Sequence, residues 1–283
     1  MITRDLINEQ IHDLEKEYVN FIIDHFTTWK DWADASQKMA DGRQVPEEEI
    51  PEAFVLEYRL IRLVLEMEAA GKFDWANPRL REIFQQLAQS PFYNLWGKTI
   101  TQITLRLAES IGAKTLVEVG AGRGNLTQIM IQQIAEKNMA MKLIVSDSDP
   151  IVLEHMETLK NAHPGMDITT MLWDIKQPPP DELRSKIEPP CLLYERASIL
   201  YATIPAIENI AAVSDIVVFG DMFNYTGQLY AYDEISKRIG AHPLFYSEIK
   251  PVVEKYFRDH FMFDQRAQEE LQFPSTTMMI AFK

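Results

Sequence analysis

The chain of 283 residues has little cysteine and no apolar run that approaches the roughly 20 residues of a membrane-spanning helix. Its single cysteine, Cys191, excludes an intrachain disulfide and a zinc site built from several cysteines. The N-terminal sequence MITRDLINEQIHDLEKE is polar and acidic, unlike a secretory signal peptide. We therefore expect a cytoplasmic protein without a membrane segment.

Basic residues are also scarce. Lys and Arg number 28 against 42 Asp and Glu, which gives a formal net charge of −14. A protein that binds a phosphate backbone needs a basic surface, and the acidic excess is spread over both ends of the chain. We therefore expect no nucleic acid partner. With 46% hydrophobic and 25% charged residues, the composition is that of an ordinary globular protein.

The first part of the chain has the periodicity of helices. Apolar residues recur at helical spacing from Ile7 to Ile22. Three more helical segments follow, and local residues mark their ends: Pro51 and Gly71 flank the second, Asn77 and Pro78 start the third, and Gly112 ends the fourth. We predict an all-helical N-terminal domain over residues 1–91.

After residue 114 short apolar runs alternate with helical segments. The runs are TLVEVG, MKLIVSD, ITTMLWD, CLLYERA and IVVFGDMF, with further helices predicted around 204–213 and 228–239. The last two runs, FMFDQ and TTMMIAFK, are separated by a loop with no helix predicted. The pattern predicts an α/β domain over residues 92–283. Its sheet should be doubly wound, mostly parallel and seven-stranded, with a terminal antiparallel pair.

A glycine-rich loop, LVEVGAGRGNLT at 116–127, follows the first of these strands. Its spacing fails the G-x-G-x-x-G dinucleotide fingerprint, and it lacks the G-K-S/T ending of a P-loop. What remains, E-x-G-x-G-x-G, resembles the first motif of the class I S-adenosylmethionine-dependent methyltransferases. The resemblance extends over about residues 92–283 and implies S-adenosyl-L-methionine as the cofactor.

The resemblance assigns roles to the residues of this motif. Glu118 would meet the ammonium group of the methionine moiety, directly or through water. Gly120, Gly122 and Gly124 would let the backbone pass close to the methionine and the ribose.

Acids after the next two strands extend the resemblance. Asp147 stands at the tip of KLIVSD, where the family has the acid that accepts from the ribose hydroxyls. Asp149 directly precedes Pro150 and is better explained as a helix N-cap. Asp174 and Ile175 follow the third strand, where the family has an acid for the adenine amino group and a backbone N–H for the ring.

The segment after the fourth strand bears on the acceptor. It reads YERASILYATIP and lacks the N/D-P-P-Y motif of amino-methylating nucleic acid enzymes, although the glycine loop itself is similar to that of rRNA adenine dimethyltransferases. Small-molecule O-methyltransferases often have a histidine where this chain has Tyr201. Glu195 and Arg196 should face the substrate side at the strand end, and a surface or interdomain ion pair is the alternative. The catalytic candidates are Glu195, Arg196 and Tyr201.

A metal site is the less favoured alternative. Cation-dependent relatives use an acid after the fourth strand and an adjacent Asp-Asn pair after the fifth. Here Asp221 and Asn224 are not adjacent, although with Glu195 they would offer oxygen ligands to Mg²⁺. We expect no metal.

Aromatic residues cluster where the two predicted domains join. Phe92, Tyr93 and Trp96 lie in SPFYNLWGKT, and residues 92 and 96 share a face of a helix. Tyr93 and Trp96 are candidate substrate contacts, with a purely structural role in the core as the alternative.

The sequence thus predicts an S-adenosylmethionine-dependent methyltransferase that acts on an oxygen or nitrogen atom of a small molecule. A transferase that moves another group, such as aminopropyl, from a related nucleotide is one alternative. A non-catalytic module that binds the nucleotide is another. Whether the protein forms a homodimer stays open.

Overall fold

The computed structural model describes residues 2–72, 77–227, 229–238 and 240–283. Its first part is helical, as predicted. The helices are α1 (Arg4–His25), α2 (Trp29–Ala40), α3 (Val55–Ala69), α4 (Pro78–Gln89) and α5 (Pro91–Ile111). Helix α2 is absent from the sequence-based prediction, which placed no helix between α1 and α3.

Local residues account for the helix ends. The side chain of Asn77 accepts a hydrogen bond from the Arg79 amide, so it caps α4 as predicted. Gly112 ends α5 with a φ of 67°, the left-handed conformation that glycine adopts at least cost. Helix α3 begins later than predicted, because one turn of 3₁₀ helix over Glu52–Phe54 follows Pro51.

The second part forms the predicted sheet. Its strands lie in the order β3-β2-β1-β4-β5-β10-β8. They are β1 (Thr115–Val119), β2 (Lys142–Asp147), β3 (Asp167–Leu172), β4 (Cys191–Arg196), β5 (Ile216–Gly220), β8 (Asp259–Met262) and β10 (Met279–Phe282). Strand β10 is antiparallel to both β5 and β8, and the pairs among β1–β5 are parallel. The predicted seven-stranded sheet with a terminal antiparallel pair is confirmed.

The remaining elements connect these strands. The helices are α6 (Asn125–Glu136), α7 (Pro150–Ala162), α8 (Asp181–Lys186), α9 (Ile199–Ala202), α10 (Pro205–Ala211), α11 (Ala231–Arg238), α12 (Tyr246–Tyr256) and α13 (Gln265–Leu271). A small sheet joins β7 (Leu244–Phe245), β6 (Phe223–Asn224) and β9 (Ser275–Thr276). The helix predicted over 228–239 is α11, and residues 228 and 239 lie outside the described residues.

One prediction for the end of the chain is wrong. The connection between β8 and β10 contains the short helix α13, where the sequence analysis predicted a loop without a helix. Ala267 is its buried residue, and α13 packs against α1. The reason is tertiary: too few apolar residues mark this segment for periodicity to reveal it, and α1 supplies the packing.

The apolar core has two faces. On one face of the sheet, residues of β1, β2, β4 and β5 pack with α5 and with the N-terminal helices as one continuous cluster. On the other face, α10 and α12 cover the sheet. The carboxyl ends of β1 and β4 lie side by side where the strand order reverses, which is where open α/β sheets bind ligands. No helix of the described residues is both long and apolar enough to cross a membrane.

Candidate functional site

The loop between β1 and α6 requires glycine at two positions for steric reasons. Gly120 has a φ of 65°, and a Cβ built there would lie 2.1 Å from Ser198 Oγ. Gly124 has a φ of 75°, and its Cβ would lie 2.6 Å from Met156 Cε. The positive φ disfavours a side chain at either position, and at Gly120 a Cβ would also collide with Ser198, whereas the end of the Met156 side chain can move. The loop is therefore held close to both flanking segments.

Glu118 is buried in β1 beside this loop, at 1% exposure. Its Oε2 accepts a hydrogen bond of 2.9 Å from the Tyr194 hydroxyl, while its Oε1 has no partner among the described residues. Burial raises the pKa of this carboxyl to about 7, and the hydrogen bond from the Tyr194 hydroxyl opposes the shift. An unpartnered carboxylate oxygen in a buried position favours a cationic ligand.

Asp147, at the end of β2, holds the glycine loop. Its Oδ2 accepts from the Gly122 amide at 2.9 Å, and its Oδ1 accepts from the Asp149 amide at 2.9 Å. Each oxygen keeps a lone pair for a further donor. Asp149 caps α7 by accepting from the Ile151 amide at 2.9 Å, as the sequence predicted. The two acids thus have separate tasks.

A cleft of about 370 Å³ opens at the carboxyl ends of these strands. Four segments line it: Gly120, Ser148, residues 173–176, and residues 196–198 with Tyr201 and Ala202. Asp174 and Ile175, predicted to meet the adenine, lie in its wall. Asp174 also accepts from the Lys176 amide at 3.0 Å, which fixes the turn after β3.

The sequence analysis expected Glu195 and Arg196 to face the same side. In the structure they face opposite sides. Successive residues of a strand point to opposite faces, and these two are neighbours in β4. Arg196 lies on the cleft side, where its Nη1 donates to the Tyr93 carbonyl at 2.9 Å. Glu195 is fully buried and absent from the cleft wall. No salt bridge joins the two within the described ranges.

Glu195 instead faces Asp221, at the end of β5. Glu195 accepts from the Ser198 amide at 2.8 Å, and Asp221 accepts from the Ile199 amide at 3.0 Å. Burial raises the pKa of both carboxyls, that of Glu195 to about 7, and the charge of Glu195 raises that of Asp221 further. Two buried carboxyl groups that face each other disfavour the doubly ionised state, which explains these directions. The pair clamps the segment 196–199 that lines the cleft.

This arrangement bears on the alternative metal site. Glu195 and Asp221 do come together, but each already accepts a backbone hydrogen bond. Asn224 Oδ1 accepts from the amides of Thr226 and Gly227 and closes a turn. Among the residues that the structure describes, no three His, Cys, Asp or Glu side chains form a group that could hold a metal ion.

The three aromatic candidates lie in different surroundings. Tyr201 lines the cleft with 36% of its surface exposed, and burial of its hydroxyl raises its pKa to about 12. Tyr93 is half-buried between Phe92 and Trp96, with ring centroids 5.1 and 5.7 Å apart. Trp96 is 2% exposed and donates its indole N–H to the Thr277 carbonyl at 3.1 Å. Trp96 therefore has a structural role in the core, because it has no exposed surface with which to contact a substrate.

Sequence reasoning missed several residues of the cleft, among them Ser148, Trp173 and Ser198. Ser148 and Trp173 each adjoin a predicted acid, so a wider window around Asp147 and Asp174 would have included them. Ser198 donates to the Val119 carbonyl at 3.2 Å and packs where a side chain at Gly120 would stand. Nothing in the sequence indicates that role.

Comparison with known proteins gives the fold. No family model and no curated protein matches the chain. Several solved structures do match it. The citrinin polyketide synthase CMeT domain aligns with a TM-score of 0.65 at 12% identity, over 99% of this chain and 94% of that one. The DszA carbon methyltransferase (TM-score 0.63, 12%, 88% and 68%) and the CurJ carbon methyltransferase (0.61, 12%, 97% and 92%) are also similar. The chain therefore has the class I S-adenosylmethionine-dependent methyltransferase fold.

Proposed function

We propose that this chain transfers a methyl group from S-adenosyl-L-methionine to a small-molecule acceptor. The observation that carries the proposal is the unpartnered, buried Oε1 of Glu118 beside the glycine loop. The ammonium group of the methionine moiety would supply the missing donors and a compensating charge. It would also lower the pKa of Glu118 and keep the carboxylate ionised.

The other cofactor contacts follow from the cleft. Asp147 has free lone pairs at the tip of β2 for the two ribose hydroxyls. Asp174 and the Ile175 backbone lie in the wall where the adenine would stack and form hydrogen bonds. The glycine loop would pass under the ribose and the methionine moiety, since it carries no side chain at 120, 122 and 124.

The bound cofactor supplies a methyl group on a sulfonium, which an acceptor displaces in line. The protein mainly orients the two reactants and excludes water. Arg196 and Tyr201 lie in the cleft wall and would orient the acceptor through their N–H and O–H donors. Glu195 would have an indirect, positioning role, because its pair with Asp221 holds the segment that carries Arg196.

We propose an oxygen or nitrogen atom as the acceptor. A carbon acceptor is the second candidate, because the three similar structures named above are carbon methyltransferases or a CMeT domain and align over 88–99% of this chain. In either case we propose that residues 1–91 form a helical domain that covers the acceptor side, while residues 92–283 bind the cofactor. Helix α5, which begins at residue 91, joins the two.

Calorimetry tests the cofactor assignment. Wild type should bind S-adenosylmethionine and S-adenosylhomocysteine. Glu118→Gln keeps the shape and an acceptor for Tyr194 but removes the charge, so the affinity should fall about tenfold or more, the loss of a charge-assisted hydrogen bond. Equal affinities would remove Glu118 from the site.

Labelled cofactor separates the alternatives. Transfer of a tritiated methyl group to small molecules supports methyl transfer. Transfer from the decarboxylated cofactor alone would indicate an aminopropyl transferase, whose donor has no methionine carboxylate. Binding without turnover of either donor would indicate a sensing module.

A further inference from the structure

Arg196, the last residue of β4, lies against helix α5. Its Nη1 donates to the Tyr93 carbonyl at 2.9 Å. A Cβ built at Gly97, one turn further along α5, would lie 3.0 Å from the same Nη1 atom, so no side chain separates the guanidinium from the helix backbone there. Two neighbouring residues of one helix therefore fix where this guanidinium lies.

The same guanidinium lies in the wall of the cleft, and none of the ion pairs between described residues includes it. The Tyr93 carbonyl accepts from Nη1 alone, and a guanidinium has five N–H donors. Burial lowers the pKa of Arg196, so the surrounding protein disfavours its charge. Buried charges in proteins are as a rule paired. Arg196 thus has N–H donors and an unpaired positive charge for a ligand in the cleft.

Glu118 and Arg196 project from the same face of the sheet. The register of β1 and β4 places Glu118 opposite Tyr194, and the Tyr194 hydroxyl donates to Glu118 Oε2 at 2.9 Å, so these two side chains share a face. Arg196 is two residues beyond Tyr194, and alternate residues of a strand point to the same side. The Arg196 Cα therefore lies one strand across from Glu118 and about 6–7 Å further toward the carboxyl end of the sheet.

The two residues have opposite requirements. Glu118 Oε1 has no partner among the described residues and favours a cation, whereas Arg196 favours an anion. An α-amino-acid group carries an ammonium and a carboxylate on one carbon atom, so it presents both charges side by side. A ligand with only the ammonium leaves Arg196 unpaired, and a ligand with only the carboxylate leaves Glu118 unpaired.

We propose that Arg196 binds the carboxylate of the methionine moiety, so that Arg196 and Glu118 together select a zwitterionic cofactor, an inference that rests on the cofactor proposed above. A guanidinium presents two parallel N–H groups to the two oxygens of a carboxylate, and its other N–H groups stay available to the acceptor. The decarboxylated cofactor keeps the ammonium but has no carboxylate. Arg196 is therefore a specificity residue that favours methyl transfer over aminopropyl transfer.

Calorimetry with three thioether ligands tests this pairing without turnover. S-adenosylhomocysteine carries the ammonium and the carboxylate, decarboxylated S-adenosylhomocysteine lacks the carboxylate, and 5′-methylthioadenosine lacks both. Wild type should bind S-adenosylhomocysteine at least tenfold more tightly than its decarboxylated form, because the latter cannot make the charge-assisted hydrogen bonds with Arg196. Equal affinities for these two ligands would overturn the proposal, and this comparison needs no variant.

Arg196→Met removes the charge and keeps an unbranched side chain. It should weaken binding of S-adenosylhomocysteine at least tenfold. Binding of the decarboxylated ligand should stay within threefold of wild type or become tighter, because its ammonium no longer meets a like charge. Equal losses for both ligands would overturn the proposal. Arg196→Gln, which keeps an N–H donor for the Tyr93 carbonyl, replaces Arg196→Met if that variant does not fold, and the same outcomes apply.

Arg123→Met is the matched control, since Arg123 is an exposed cation of the glycine loop that is absent from the cleft wall. It should change neither affinity by more than threefold. The same loss of preference as in Arg196→Met would show an effect of net charge and would overturn the direct pairing. Glu118→Gln should give the complementary pattern: both ligands that carry the ammonium bind more weakly, and 5′-methylthioadenosine binds as to wild type.

These titrations also separate this inference from the proposed function. If wild type binds none of the three ligands, the cofactor assignment fails, and the role of Arg196 fails with it. If wild type binds S-adenosylhomocysteine but does not prefer it over the decarboxylated form, only the role of Arg196 fails.

Discussion

Two neighbouring acids, Asp147 and Asp149, have tasks that single substitutions should separate. Asp147→Ala removes the acceptor for the Gly122 amide and, in the proposed function, the acceptor for the ribose hydroxyls. We expect cofactor binding to weaken by about 1–3 kcal/mol, roughly 5- to 150-fold, measured by calorimetry. Equal affinity in mutant and wild type would exclude Asp147 from the cofactor site.

Asp149→Ala is the matched control. It deletes the N-cap of α7 and should cost about 1 kcal/mol of unfolding free energy in urea, with little change in affinity. If Asp149→Ala greatly weakened cofactor binding and left stability unchanged, Asp149 and not Asp147 would be the cofactor-binding acid.

At the scale of an element, the buried Glu195–Asp221 pair determines where the segment 196–199 lies. Asp221→Asn keeps an acceptor for the Ile199 amide and a donor toward Glu195. It should leave stability at pH 7 within about 1 kcal/mol of wild type. Asp221→Leu removes the acceptor of the Ile199 amide and the carboxyl that faces Glu195, and it should cost about 3 kcal/mol or more. It should also weaken cofactor binding, because Arg196–Ser198 line the cleft. Leu and Asn variants of equal stability would contradict this role.

For the whole molecule, several buried carboxyls make stability depend on pH. Burial raises the pKa of Glu118 and Glu195 to about 7 and that of Asp264 to about 6. A raised folded-state pKa means that the native state binds more protons than the unfolded chain, so the stability present at low pH is lost as pH rises through that pKa. We therefore expect the melting temperature to fall by several degrees between pH 5.5 and pH 8, measured by calorimetry. A rise over that window would show that these carboxyls titrate normally.

The net charge of −14 leads to a separate expectation. Neither RNA nor DNA should bind at physiological salt, because the chain offers few cations to displace counterions from a phosphate backbone. Filter binding over 50–200 mM salt checks this. A steep, salt-dependent affinity would favour a nucleic acid substrate, in line with the similarity of the glycine loop to that of the rRNA dimethyltransferases.

Much of the fold could be predicted from the sequence because its causes are local. The caps at Asn77, Gly112 and Asp149 depend on residues within one turn of the helix end. The strands from Thr115 onward are short apolar runs bounded by turn residues. Helix α13 and the late start of α3 could not be predicted, since each depends on packing or on a 3₁₀ turn that periodicity does not reveal.

The sequence by itself determined the candidate cofactor motif, because the spacing of Glu118 and three glycines within one strand and turn is a local property of the chain. Only the tertiary structure decided what the more distant residues do. It turned Glu195 away from the cleft toward Asp221 and buried Trp96 against Thr277. Contacts between residues far apart in the chain follow from how helices and sheet pack, and no local spacing encodes that packing.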